Sequence, residues 1–79
     1  MKYRKKPVVI DAVQFHAIDF PDQWPEGVYG DPDSETGFAI NTLEGRALNV
    51  TDGDWIITDV AGERYPCKPG IFAATYEPA

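Results

Sequence analysis

Few side chains in this sequence can do chemistry. It has one histidine, His16, one serine, Ser34, and one cysteine, Cys67. A nucleophile needs a base beside it, so serine chemistry has a single cast, Ser34 with His16 and a carboxylate. Thiol chemistry has another, Cys67 with His16. Ser34 lies in a stretch rich in prolines and acids, without the Gly-x-Ser-x-Gly turn that presents a serine nucleophile. Cys67 sits between Pro66 and Lys68, but a lone cysteine more often serves as a small buried hydrophobe. A single cysteine also rules out an internal disulfide and a multi-cysteine zinc site. Asp31, Asp33 and Glu35 alternate as in the first half of a calcium loop. The sixth position is Thr36 rather than glycine, however, and the twelfth is Thr42 rather than glutamate. Nothing in the spacing of the thirteen acids singles out a catalytic carboxylate pair, and no glycine-rich phosphate loop occurs. The expectation is a protein that is not an enzyme and carries neither metal nor cofactor.

Binding groups are easier to find. Trp24, Tyr29, Trp55, Tyr65, Phe72 and Tyr76 exceed what so small a core can hide. Phe15, Phe38, Trp55, Phe72 and Tyr76 read as core. Trp24 and Tyr29 stand among acids, which suits anchors for a protein partner. Arg64, Tyr65 and Lys68, where prolines break the last strand, suit a small anionic ligand such as a nucleotide, with the base stacked on Tyr65 and the phosphate paired to Lys68. The plainer reading has Arg64 and Lys68 solvated or paired with Glu63 and Asp59, and in either case their removal should leave the melting temperature nearly unchanged.

The elements that must hold these groups follow from composition and turn signals. Seventy-nine residues, 43% apolar and 25% charged, make one domain, 1–79, with no segment near the about 20 apolar residues of a membrane span. The basic start is interrupted by Asp11 before an apolar run can form, which argues against a signal peptide. Net charge is −6, unevenly spread: Lys2, Arg4, Lys5 and Lys6 are four of the seven cations, and from Pro7 onward thirteen acids face only Arg46, Arg64 and Lys68. Such a body repels nucleic acid. Val8 to Phe15, apolar on both faces, reads as a central strand. Ile18 to Gly37, with three prolines, three glycines and six acids, reads as a long acidic loop with at most one helical turn, started by Asp19 or Asp22. Then Phe38–Leu43, Arg46–Thr51, Asp54–Val60 and Glu63–Pro66 form a meander, its turns at Glu44-Gly45, Asp52-Gly53 and Ala61-Gly62. Pro66 and Pro69 stop the ladder, and Gly70 to Glu77 forms a short helix with Phe72 and Tyr76 on one face. The predicted fold is α+β, mostly β: a strongly bent antiparallel sheet or partly open barrel of about five strands with a short C-terminal helix.

Several of these segments, in this order, form a signature. The opening Met1-Lys2-Tyr3-Arg4-Lys5-Lys6-Pro7-Val8-Val9-Ile10-Asp11-Ala12-Val13-Gln14-Phe15, then Gly53-Asp54-Trp55-Ile56-Ile57, Gly62-Glu63, Tyr65-Pro66-Cys67-Lys68-Pro69, Ile71-Phe72 and Thr75-Tyr76-Glu77, resemble a family of small uncharacterised tailed-phage and prophage proteins. The match covers about half the chain. Asp52 stands where the family pattern has proline and Gly70 where it has aspartate, both in turns, and Ile18 to Gly37 has no counterpart. The resemblance brings no catalytic residue. It implies a phage-encoded protein working in the cytoplasm of an infected bacterium.

Two functions fit these observations. One is a non-enzymatic binding protein, a counter-defence or host-takeover factor that engages a host protein or sequesters a small nucleotide. The other is a structural or assembly accessory of the virion, acting through sheet-edge pairing. A chain this short buries only roughly 60% of its unfolded surface, so a homo-oligomer formed through the N-terminal strand or the aromatic C-terminal face is also expected.

Overall fold

The computed structural model describes residues 1–4 and 8–79. Lys5 and Lys6 of the basic run, and Pro7 at the expected start of the first strand, lie outside the described residues. The protein is mostly β. Strands β1 (Asp11–Gln14), β5 (Trp55–Thr58) and β6 (Arg64–Cys67) form one antiparallel sheet in the order β1-β5-β6. Strands β2 (Val28–Gly30), β3 (Phe38–Asn41) and β4 (Ala47–Val50) form a second, in the order β2-β3-β4. Helix α1 (Pro69–Thr75) closes the chain. The six strands thus divide into two sheets of three rather than one sheet of about five.

The split occurs at Asp52-Gly53, expected to be a simple hairpin turn. Gly53 takes φ 92°, open to glycine at no steric cost. Its amide donates to the Phe15 carbonyl, and the Phe15 amide donates to Asp54, each at 2.8 Å. The chain therefore leaves β4 and pairs with β1 instead. Sequence separation conceals this, because the partner lies some forty positions upstream.

Opposing strand residues share a face, and the register sorts the side chains. In the second sheet Val28, Ile40 and Leu48 align, as do Phe38 and Val50. All five belong to the core, which Phe15 and Ile56 complete from the other sheet, with Ala17 and Trp24 packed against it. The opposite face of β1-β5-β6 carries Ala12, Trp55, Ile57, Tyr65 and Cys67. There α1 lies over the sheet, the Phe72 ring stacked on Trp55 at 4.2 Å and 7°.

Three further expectations change. The first strand is an edge strand, not a central one, and only four residues long; Val8 and Val9 are exposed, so its two apolar faces do not mean two covered faces. The acidic stretch 18–37 contains β2 and a 3-10 turn at Pro21–Gln23 preceded by Phe20, with no side-chain cap from an acid. A three-residue strand is too short to show alternation, and Gly27, at φ 92° with a would-be Cβ 3.4 Å from Ile40, lets it approach the core closely. Last, Pro66 does not stop the ladder but sits within β6 opposite Ile56. The Asp59 amide bonds the Glu63 carbonyl, so alternation sends the Tyr65 and Cys67 bonds to β5 and turns Pro66, which has no N–H, to the outer edge.

Candidate functional site

The three residues expected to share an anion do not converge. Arg64 and Tyr65 are consecutive in β6 and therefore face opposite sides of the sheet. Arg64 points to the core side, its Nη2 3.2 Å from the Glu26 carboxylate. The pair lines a cavity of about 280 Å³ with Asp11, Val13, Pro25, Ile56 and Thr58. Lys68 reaches back across the sheet: its Nζ donates to the Asp54 carboxylate at 3.3 and 3.4 Å and to Thr51 Oγ1 at 3.1 Å. Both cations are thus paired, but with Glu26 and Asp54 rather than with Glu63 and Asp59.

Asp54 is the one fully buried charged side chain among the described residues, 2% exposed. Its second bond is to the Thr51 amide, 2.9 Å, closing the turn by which the chain changes sheets. Asp59 and Glu63 are used locally instead: Asp59 accepts the amides of Ala61 and Glu63, and Glu63 accepts those of Leu43 and Arg64.

Tyr65 lies on the helix side. Burial, first, and then the neighbouring Tyr76 hydroxyl, Asp59 and Cys67 push its phenol from 10.0 up to about 12. Its ionisation is therefore harder in the folded chain than in the unfolded one. The stability this contributes is whole below pH 10 and drains away as pH rises through 12. Denaturant titrations are expected to show stability falling across that window, and falling less in Tyr65→Phe; equal slopes would exclude Tyr65 as the group responsible.

Trp24, expected at a partner surface, is half-buried and packs against the core. It meets Phe15 and Phe38 edge-on at 5.3 and 5.5 Å, and its indole N–H donates to the Asp19 carbonyl. Of the acids around it in sequence, Glu26 pairs with Arg64. Tyr29 is placed differently, on the outer face of the second sheet, where its hydroxyl bonds the Asn41 side chain at 3.0 Å. The two do not share a surface. Ser34 Oγ lies 2.8 Å from both the Phe38 carbonyl and Asn49 Oδ1, pinning the loop between β2 and β3, and the Asp31 carboxylate accepts the Asp33 amide in the same loop. Among the described residues no group of three or more histidines, cysteines or acids is placed to hold a metal ion, and no helix is long and apolar enough to cross a membrane.

A second concavity is one the sequence did not reveal as a site. Val8, Val9, Ile10 and Ala12 form one wall, and Trp55, Phe72 and Tyr76 the other, of an open groove of about 350 Å³ whose rim is completed by Glu77, Pro78 and Ala79. Phe72 and Tyr76, one helical turn apart, keep their rings 5.2 Å from each other along it. Glu77 is the only charged residue in the lining among the described residues. The available signal was the Phe72/Tyr76 spacing, which reads equally well as core. What makes it a groove is the exposure of Val8 and Val9, visible only once β1 is known to be an edge. No protein-family model, curated protein or solved structure matches the chain.

Proposed function

We propose that this chain is a non-enzymatic binding protein that acts in the cytoplasm of a phage-infected bacterium, as a counter-defence or host-takeover factor, and that its partner is a host protein. The observation that carries the reading is the apolar groove between Val8–Ala12 and the Trp55–Phe72–Tyr76 wall. Its volume is at the small end of ligand sites, enough for one or two large side chains. Among the described residues its lining holds no cation and is mostly apolar, which complements apolar side chains better than a phosphate. A nucleotide would instead need Arg64 and Lys68, and binding it would first have to strip them from Glu26 and Asp54. That cost favours the protein partner over the small anion.

The test is a complex recovered from phage-infected cells and reconstituted from purified components. Val9→Glu places a charge in the groove from a position 75% exposed, so the fold is spared. That variant and Tyr76→Ala are each expected to weaken the complex about tenfold or more, while Arg64→Ala leaves it intact. Loss with Arg64→Ala or Lys68→Ala, and none with the groove variants, would return the site to the anion. The role of virion assembly accessory has one observation in its favour, the open edge of β1; presence of the chain in purified virions would favour it.

A further inference from the structure

We propose that two copies of this chain pair through the outer edges of their β1 strands, antiparallel and about a two-fold axis at Ala12. The inference goes beyond the binding reading and holds whatever occupies the groove.

It starts from backbone direction. The Phe15 amide points to Asp54. By alternation Val13 and Asp11 also bond toward β5, and the amides and carbonyls of Ile10, Ala12 and Gln14 point away from the sheet. Among the described residues no strand pairs with that edge. A two-fold normal to a continuous sheet keeps each side chain on its own face, so it must match residues of the same parity. Ala12 is the middle one of the three outward-facing residues. An axis there pairs Ala12 with Ala12 and Ile10 with Gln14, twice, and satisfies all three.

Charge then selects the second copy as the occupant, and antiparallel as its direction. The chain is basic just before β1, at Lys2, Arg4, Lys5 and Lys6, and acidic just after it, at Asp19 and Asp22. Lys2 and Arg4 are exposed. An antiparallel pair therefore turns the basic end of each β1 toward the acidic end of the other. A parallel pair would set arm against arm and acid against acid, which is repulsive. The result is a six-stranded sheet, β6-β5-β1-β1-β5-β6, with both α1 helices and both apolar grooves on one face.

Sedimentation velocity and disulfide trapping test it. The wild-type chain should sediment as a dimer at about 100 μM and dissociate as salt rises. Ala12→Pro should sediment as a monomer with an unchanged circular dichroism spectrum, because the N–H it removes is one the β1–β5 ladder does not use. Lys2→Glu with Arg4→Glu, outside every strand, should also yield monomer, and adding Asp19→Lys with Asp22→Lys should restore the dimer. On a Cys67→Ser background, Ala12→Cys should cross-link to itself under mild oxidation and Ile10→Cys should not, since only position 12 meets its own copy. A wild-type monomer at that concentration, or self-cross-linking no faster at position 12 than at exposed Val60, would overturn the pairing. Neither result bears on the groove, which the Val9→Glu experiment tests separately.

Discussion

Truncating Phe15 to alanine will cost about 3–5 kcal/mol, a large part of the roughly 4–12 kcal/mol that a chain of this length commands. The side chain is fully buried and is the point at which the two sheets meet. Its ring lies edge-on to Phe38 at 4.9 Å and to Trp24 at 5.3 Å, contacts that add to the loss of buried area. Its backbone is engaged as well, through Gly53 and Asp54, so the walls of the cavity are held and cannot collapse inward. Urea titration should show a sharply lowered midpoint, with much of the population unfolded at 37 °C. Phe20→Ala is the matched control: that ring is 74% exposed, and its loss should stay within about 0.5 kcal/mol. Equal effects at the two positions would contradict the sheet packing.

Asp54→Ala is expected to cost about 2–3 kcal/mol, since it removes the acceptor of a turn amide and the counter-charge of Lys68 together. For a domain of this size that lowers the melting temperature by about 10 °C or more. Lys68→Ala should cost less, about 1 kcal/mol, because the lysine side chain is 59% exposed and water replaces part of what it gave the carboxylate. The ordering matters as much as the sizes. The sequence alone makes removal of Lys68 nearly neutral; the buried Asp54 beneath it is the reason a loss is expected instead. Thermal scans of the two single variants, with Arg64→Ala beside them, check the order; an Arg64→Ala loss exceeding that of Asp54→Ala would refute it.

Local punctuation in the sequence was a good guide, and long-range pairing was not. Gly45, Gly53 and Gly62, assigned to turns, all have positive φ, and the strands between them begin and end within a few residues of expectation. The C-terminal helix appears one residue early, because Pro69 occupies its first turn, where a missing N–H costs nothing. What could not be read was which strand pairs with which. Asp52-Gly53 looks like any hairpin turn; only the distant Phe15 backbone diverts the chain to the other sheet. Composition misled at Trp24, which stands among acids in sequence but packs its ring against Phe15 and Phe38. For the same reason Lys68 and Arg64 looked available: their partners, Asp54 and Glu26, lie 14 and 38 positions away and carry no sequence cue.

Helix α1 has seven residues, none buried, and no side-chain cap at its start. A segment so short does not persist as a helix unaided. It exists because Phe72 rests on Trp55 and because Lys68, at its threshold, is tied to Asp54. One wall of the groove is therefore held by few contacts, free to fray while both sheets stay intact. Folded and binding-competent are then separate populations. Any affinity measured for the groove is the intrinsic one multiplied by the fraction of time the helix is docked. A change that only firmed the helix onto Trp55, touching no ligand, would tighten binding.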